Sequence, residues 1–134
     1  MIFVDTGPLL ARFLEKDQHH RQALATWNTV KNQSIGCVTS SFVIGEFVTL
    51  LSRRAGSAFA TKCAKPIWNS PTFTILRPTQ ADEIEALDLM AQYHDQDFSF
   101  TDALSFVLMK QQHITSAFSF DNHFRTVGFS LWPE

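Results

Sequence analysis

Three aspartates precede an apolar segment in the stretch DQDFSFTDALSFVLMK, residues 95–110. Two explanations suit the third of them, Asp102. Ser99 and Asp102 have the spacing of a capping box, in which a serine and an acid three residues later satisfy free N–H groups at a helix start, and an acid there also complements the helix dipole. The alternative is that Asp102 is a metal ligand, and this depends on where the other acids of the chain fall.

Two of those acids follow predicted strands. Asp5 comes directly after the apolar residues 2–4, and Asp121 ends the strand pattern of residues 114–120. In open α/β sheets, ligands bind beyond the carboxyl ends of the strands, so both acids have the expected position for a site. The alternatives are a turn or capping acid before Pro8 for Asp5, and an N-cap for Asp121.

Glu46 is a carboxylate in an otherwise apolar helix predicted over FVIGEFVTLLSRR, residues 42–54. Its neighbours on the same face of an ideal helix are Phe42, Val43 and Leu50. Desolvating a lone carboxylate among such groups is costly. Glu46 therefore needs a cation, either an arginine one to two turns later or a metal ion.

Four carboxylates without a convenient set of Cys or His ligands favour a particular class of metal. Carboxylate oxygens suit Mg²⁺ or Mn²⁺ better than zinc or copper, and a divalent cation relieves their mutual repulsion. Mg²⁺ usually keeps several waters, which leaves room for a phosphate oxygen and an attacking water. The chemistry favoured is metal-assisted hydrolysis of a phosphodiester.

The elements that must position these acids alternate between strands and helices. After the first strand, helical patterns cover residues 9–14 and 23–30, and a strand pattern covers residues 34–41. Beyond the Glu46 helix, a strand is predicted within residues 71–79. An amphipathic helix follows over residues 83–94, with Ile84, Leu87 and Ala91 on one face. The next helix begins in the Asp95 segment and runs to about Gln111. The pattern ends with strands at residues 114–121 and 127–132. This alternation predicts an α/β fold with a mostly parallel sheet.

Length and composition bound the possibilities. A chain of 134 residues, 45% hydrophobic with 13 Phe and 3 Trp, is expected to form one domain, residues 1–134, around one core. No apolar run is long enough to cross a membrane or to form a signal peptide, so a soluble cytoplasmic protein is expected. Cys37 and Cys63 have neither disulfide nor zinc-site spacing.

The net charge of −2 counts against a protein that binds nucleic acid through its whole surface. However, if four of the 13 acids are gathered in one metal site, nine remain to set against 11 Lys and Arg. The outer surface would then be mildly positive, and a nucleic-acid substrate stays possible.

Four motifs occur together over the full length and in one order: VDTGPLL, SSFVIGEFVTLL, FSFTDALSFVLMK and AFSFDNHF. In these motifs the chain resembles a PIN domain, and specifically VapC-type toxins of bacterial toxin–antitoxin pairs. The resemblance implies a three-layer sandwich, in which helices flank a central, mostly parallel β-sheet. It also implies an acidic pocket that holds Mg²⁺ or Mn²⁺, one or two ions, and cuts single-stranded RNA.

The resemblance assigns roles to residues as well. The metal-binding and catalytic acids map onto Asp5, Glu46, Asp102 and Asp121. Residues expected to orient those carboxylates, or the water at the metal, are Thr6, Ser99 and Thr101, with Asp97 as a possible further acid of the pocket. The alternatives are helix capping for the hydroxyl residues and a solvated loop position for Asp97. His123 is expected to be structural or at the surface rather than a general base.

RNA must be held outside the acidic pocket, and the densest basic segment contains Arg53, Arg54, Lys62 and Lys65. Such side chains would contact phosphates without reading bases, although a solvated helix face explains them as well. The resemblance further implies a homodimer and a cognate antitoxin as partners. The competing functions are a non-catalytic PIN-like module that binds RNA or protein and, less well matched, a receiver domain or an aspartyl phosphatase.

Overall fold

Five short strands form one sheet in the computed structural model, which describes residues 1–134. The strands are β1 (Ile2–Val4), β2 (Cys37–Ser40), β3 (Phe73–Leu76), β4 (Ser116–Phe118) and β5 (Ser130–Leu131). Their order across the sheet is β3-β2-β1-β4-β5, and every neighbouring pair is parallel. The helices are α1 (Thr6–Phe13), α2 (His20–Asn32), α3 (Ser41–Ala55), α4 (Ser57–Trp68), α5 (Gln80–Gln92), α6 (Phe100–Gln111) and α7 (His123–Thr126).

Helices cover both faces of the sheet. From β1 to β3 the chain moves along the sheet in one direction, and after β3 it crosses back to β4 and continues to β5. Crossovers between parallel strands are right-handed, so α1 to α4 and α5 to α7 lie on opposite faces. Helix α1 packs against α2 and α3, α3 packs against α4, and α5 packs against α6. The predicted α/β sandwich with a parallel sheet is confirmed.

The core explains why β1 is a continuous apolar run. Phe3 and Val4 are fully buried beneath helices on both faces, as is usual in parallel sheets. A large cluster of buried apolar side chains joins the sheet to α1 through α4 and extends to Phe106 and Phe124 on the other side. A smaller cluster joins α5 to α6. No helix is long and apolar enough to span a membrane.

Helix α4 is absent from the sequence prediction. Its buried residues, Ala60, Ala64 and Ile67, follow a helical spacing, but two of the three are small and give a weak hydrophobic pattern. Gly56, with φ at +89°, separates α4 from α3, and a positive φ is a conformation that glycine adopts readily.

The predicted face of α5 is wrong. Ile84 and Leu87 are 51% and 55% exposed, whereas Ala86 is fully buried. Leu89 and Met90 also pack against α6. The helix is apolar on more than one side, so periodicity alone could not identify the face that packs.

Several predicted bounds also differ. The Asp95 segment is a turn, and α6 begins only at Phe100. Strand β4 ends at Phe118, so Asp121 lies three residues beyond the strand rather than at its last position. Pro8 is the third residue of α1, where its missing N–H still costs no helical hydrogen bond.

Candidate active site

The four predicted acids meet in one cleft at the carboxyl edge of the sheet. Asp5, Glu46, Asp102 and Asp121 all line this cavity of about 640 Å³, called here the acidic cleft. It opens beyond β1 and β4, the neighbouring strands from which the chain departs in opposite directions. Such a reversal of strand order leaves a crevice in which α/β proteins bind ligands.

Asp5 is the most buried of the acids, with 9% of its surface exposed. It occupies the N-cap position of α1 but makes no side-chain capping hydrogen bond, so the capping alternative does not apply. Burial raises the pKa of Asp5 from 3.8 to about 7. The nearby charges of Asp102 and Asp121 raise the pKa further, while a hydrogen bond from Ser119 opposes the increase.

Ser119 is a site residue that the sequence analysis missed. Its Oγ donates a hydrogen bond to Asp5 Oδ2 at 2.8 Å and accepts one from the backbone N–H of Asp121 at 3.0 Å. The buried serine therefore ties the acid after β1 to the acid after β4. The sequence offered one signal for Ser119. In the extended segment predicted up to Asp121, Ser119 stands two residues before that acid, and side chains two residues apart in an extended chain point the same way.

Asp102 does cap its helix. The Ser99 N–H donates to Asp102 Oδ2 at 3.1 Å, and the Asp102 N–H donates to Ser99 Oγ at 3.0 Å. This reciprocal pair is the capping box that the spacing suggested. The Asp102 side chain, only 15% exposed, also lines the acidic cleft, so the two explanations of this residue are compatible.

Asp121 is linked to His123 at the start of α7. Its Oδ1 accepts the backbone N–H of His123 at 2.9 Å. The His123 ring also faces the cleft, with Nδ1 at 3.1 Å from Asp121 Oδ2 and 3.5 Å from Asp102 Oδ2. The expectation of a surface or purely structural histidine is therefore incomplete.

Glu46 lies between two cavities. It is half-buried and lines both the acidic cleft and a neighbouring cavity of about 500 Å³ that Thr101 and Arg53 share. The two salt-bridge contacts in the structure both involve His123, so Glu46 has no arginine partner. A metal remains the other way to compensate its charge.

The remaining predicted residues divide between the cleft and other surfaces. Thr6 and Ser99 line the acidic cleft, whereas Thr101 lines only the neighbouring cavity. The Thr101 carbonyl accepts a hydrogen bond from Ser105 within α6 at 2.8 Å. Asp97 is exposed and does not line the acidic cleft. Its role as a pocket acid has no support in this geometry.

The four basic residues predicted to hold RNA do not form one patch around the acids. Arg53 alone lines a cavity that also contains one of the four acids. Lys62 lines a separate groove between α1, α2 and α4. Arg54 and Lys65 are exposed. The phosphate-binding prediction is therefore reduced to Arg53.

The donor set of the acidic cleft fits a divalent cation. Two buried side-chain polar atoms in the whole structure have no hydrogen-bond partner, Thr6 Oγ1 and His123 Nδ1, and both residues line this cleft. Buried polar atoms are nearly always paired, so these two indicate a missing partner. Oxygen or nitrogen atoms of Asp102, Asp121 and His123 also lie within 4.8 Å of one another, as ligands of one ion must.

Comparison with known proteins agrees with this geometry. The family model described as PIN domain matches residues 2–130. The chain belongs to the PIN domain family.

Relatives of this PIN domain are similar over their whole length. The chain is 33% identical over 135 residues to the 23S rRNA-specific endonuclease VapC20 of Mycobacterium tuberculosis, in strains CDC 1551 and H37Rv, and the match covers 100% of each chain. The crystal structure of M. tuberculosis VapC20, described as a sarcin–ricin loop cleaving toxin, superposes with a TM-score of 0.87 at 32% identity over 96% of both chains. The predicted resemblance to VapC-type toxins is confirmed.

Proposed function

We propose that this PIN domain is a divalent-metal-dependent endoribonuclease that hydrolyses phosphodiester bonds of single-stranded RNA, and that it is the toxin of a toxin–antitoxin pair. The observation that carries the proposal is the acidic cleft itself. Four carboxylates converge there without any cationic Lys or Arg partner, together with two buried polar atoms that lack a partner. Relatives of full-length similarity are RNA endonucleases by name.

Asp5, Asp102 and Asp121 would hold the metal, with Glu46 at the edge of the cleft. When bound, a divalent cation stabilises charge on a phosphate and makes water a better nucleophile. The raised pKa of Asp5 means that this carboxyl is partly protonated near neutral pH without a cation. A nearby positive charge favours the ionised form, so metal binding and ionisation of Asp5 reinforce each other.

Glu46 is the carboxylate best suited to accept a proton from the attacking water. It makes no hydrogen bond or salt bridge that would occupy its oxygens, and it faces both cavities. Ser119 and Ser99 act on other acids, because they fix the orientations of Asp5 and Asp102 through the hydrogen bonds described above. These two serines are positioning residues.

RNA would run from the acidic cleft into the neighbouring cavity. Arg53 lines that cavity beside Glu46, where its guanidinium can bind a phosphate. The sarcin–ricin loop named for the crystallised relative is the first RNA to test. A cut at the same loop in this chain is part of the proposal.

The decisive assay incubates the purified protein with sarcin–ricin loop RNA and with an unstructured RNA, with Mg²⁺, Mn²⁺ or EDTA. Asp102→Asn tests the cleft, and Asp97→Asn, an exposed acid outside it, is the matched control. We expect cleavage that needs a metal, persists in Asp97→Asn and is lost in Asp102→Asn. Cleavage by Asp102→Asn at the wild-type rate would refute the site, and RNA binding without cleavage under any condition would favour a non-catalytic module.

Two apolar surfaces support the proposed protein partners. The groove between α1, α2 and α4, of about 700 Å³, contains the exposed side chains of Leu24 and Phe59 and is bordered by Arg12, Lys31 and Lys62. A groove of this character suits an apolar segment that carries acidic residues, and we assign it to the antitoxin. The exposed Ile84 and Leu87 of α5 are the surface that we assign to a homodimer, since an isologous contact uses the same patch twice.

A further inference from the structure

His123 lies with one ring nitrogen, Nδ1, close to two acids of the cleft. Its backbone N–H donates to Asp121 Oδ1 at 2.9 Å, and its ring packs edge-on against Phe98, with 4.9 Å between the centroids. Phe98 is itself buried. The first contact anchors the backbone and the second restricts the ring, and Nδ1 lies 3.1 Å from Asp121 Oδ2 and 3.5 Å from Asp102 Oδ2.

The Nδ1 atom has no hydrogen bond in spite of these distances. It is buried and unpartnered, so its approach to the two carboxylates lacks the alignment of a good N–H···O contact. A cation would remove this need, because the nitrogen lone pair and the carboxylate oxygens would then face the cation rather than one another. Adjacent ligands of an octahedral ion with bonds of about 2.1 Å are about 3 Å apart, close to the separations observed.

We propose that His123 is itself a metal ligand, which with Asp102 and Asp121 forms a mixed nitrogen and oxygen site that favours Mn²⁺ over Mg²⁺. This inference rests on the proposed function and adds to it, because the four acids alone give an all-oxygen site. Mg²⁺ is bound chiefly through oxygen, whereas a nitrogen ligand raises the affinity for first-row transition ions, and Mn²⁺ is the ion of that series that also suits carboxylate oxygen. The nitrogen ligand therefore discriminates between the two ions.

Pulsed EPR of bound Mn²⁺ tests the ligand directly. The wild-type protein, loaded with one equivalent of Mn²⁺ at fixed pH, should show modulation from a directly coordinated imidazole nitrogen, and the pattern should change when histidine is labelled with ¹⁵N. This measurement needs no variant to fold. Bound Mn²⁺ without any nitrogen coupling would overturn the proposal.

His123→Phe identifies which histidine is responsible. Phenylalanine keeps a ring against Phe98 but removes the nitrogen, and His94→Phe, at an exposed histidine in the turn after α5, is the matched control. Calorimetry should show the Mn²⁺ dissociation constant rising by about tenfold or more in His123→Phe, with a much smaller change for Mg²⁺. No change in His94→Phe is expected, and equal weakening of both ions in His123→Phe would contradict the discrimination.

The outcomes separate this inference from the proposed function. If Mn²⁺ binds and RNA is cut while neither the nitrogen coupling nor the effect of His123→Phe is seen, His123 is no ligand and the nuclease proposal stands. If neither metal binds and no RNA is cut, the proposed function fails and His123 loses its role with it.

Discussion

Replacing Asp5 with asparagine should stabilise the metal-free protein at neutral and higher pH, although it removes a proposed catalytic acid. The pKa of Asp5 is raised from 3.8 to about 7, so the native protein binds a proton at this site that the unfolded chain releases. Stability of the wild-type protein therefore falls as pH rises between those two values. At about 1.36 kcal/mol per pKa unit, the loss amounts to about 4 kcal/mol above pH 7.

The Asp5→Asn protein carries no such penalty, because an amide does not ionise in this pH range. The amide oxygen can still accept the hydrogen bond that Ser119 Oγ donates to Asp5 at 2.8 Å, so the local geometry is kept. The gain over wild type should be small, below about 1 kcal/mol, at pH 4, which lies close to the unfolded-state pKa of 3.8. It should grow to as much as about 4 kcal/mol at pH 8.

Urea denaturation in EDTA at several values between pH 4 and pH 8 measures this difference. Asp97→Asn is the control, because that acid is exposed and its replacement should leave the wild-type dependence of stability on pH in place. Saturating Mn²⁺ should reverse the order of stability at pH 8, since a ligand that binds only the native state stabilises it. Parallel stabilities of wild type and Asp5→Asn over the whole pH range would refute the argument that burial governs Asp5.

Three further predictions concern Ser119, Arg53 and the exposed face of α5. Ser119→Ala leaves a carboxylate oxygen of Asp5 and a backbone N–H without their partner, so urea denaturation should show a loss of about 1–3 kcal/mol; a change under about 0.5 kcal/mol would contradict the bridging role. Arg53→Ala should weaken RNA binding and reduce the slope of log K against log salt by about 0.7, as measured by fluorescence anisotropy, and an equal effect of Lys65→Ala would show that general charge is responsible. Leu87→Glu should convert a dimer to a monomer in light scattering, and an unchanged mass would remove α5 from the interface.

Much of the fold could be predicted because strong local patterns agree with it. The apolar run before Asp5 and the apolar helix around Glu46 both occur as predicted. Helix α4 was missed because its buried face consists mainly of Ala60 and Ala64. Their small side chains give only a weak hydrophobic periodicity. The packing face of α5 depends on which side α6 covers. This is a tertiary contact, and the sequence of α5 alone does not determine it.

The candidate site likewise contains residues that could be predicted from the sequence and residues that could not. Asp5, Asp102 and Asp121 could be named from their positions after strands or at a helix start, since topology brings such positions to one edge of the sheet. Glu46, inside α3, could be named because it is a lone carboxylate in an apolar helix. The site roles of Ser119 and His123 were missed, because each depends on a contact distant in sequence: Ser119 with Asp5, and the His123 ring with Asp102. Asp97 fails for the opposite reason: its position in the motif suggested a pocket acid, but the turn before α6 leaves it in solvent.

The capping contact of Asp102 would also make this residue a better ligand for the proposed metal. A carboxylate has about four lone-pair sites, and the Ser99 N–H occupies one on Oδ2, while no hydrogen bond engages Oδ1. The cap fixes the side chain in the cleft before any ion arrives, so less conformational entropy is lost on binding. Asparagine can accept the same hydrogen bond from Ser99 while carrying no charge. Asp102→Asn in the cleavage assay therefore separates the negative charge that a metal requires from the cap that the helix requires.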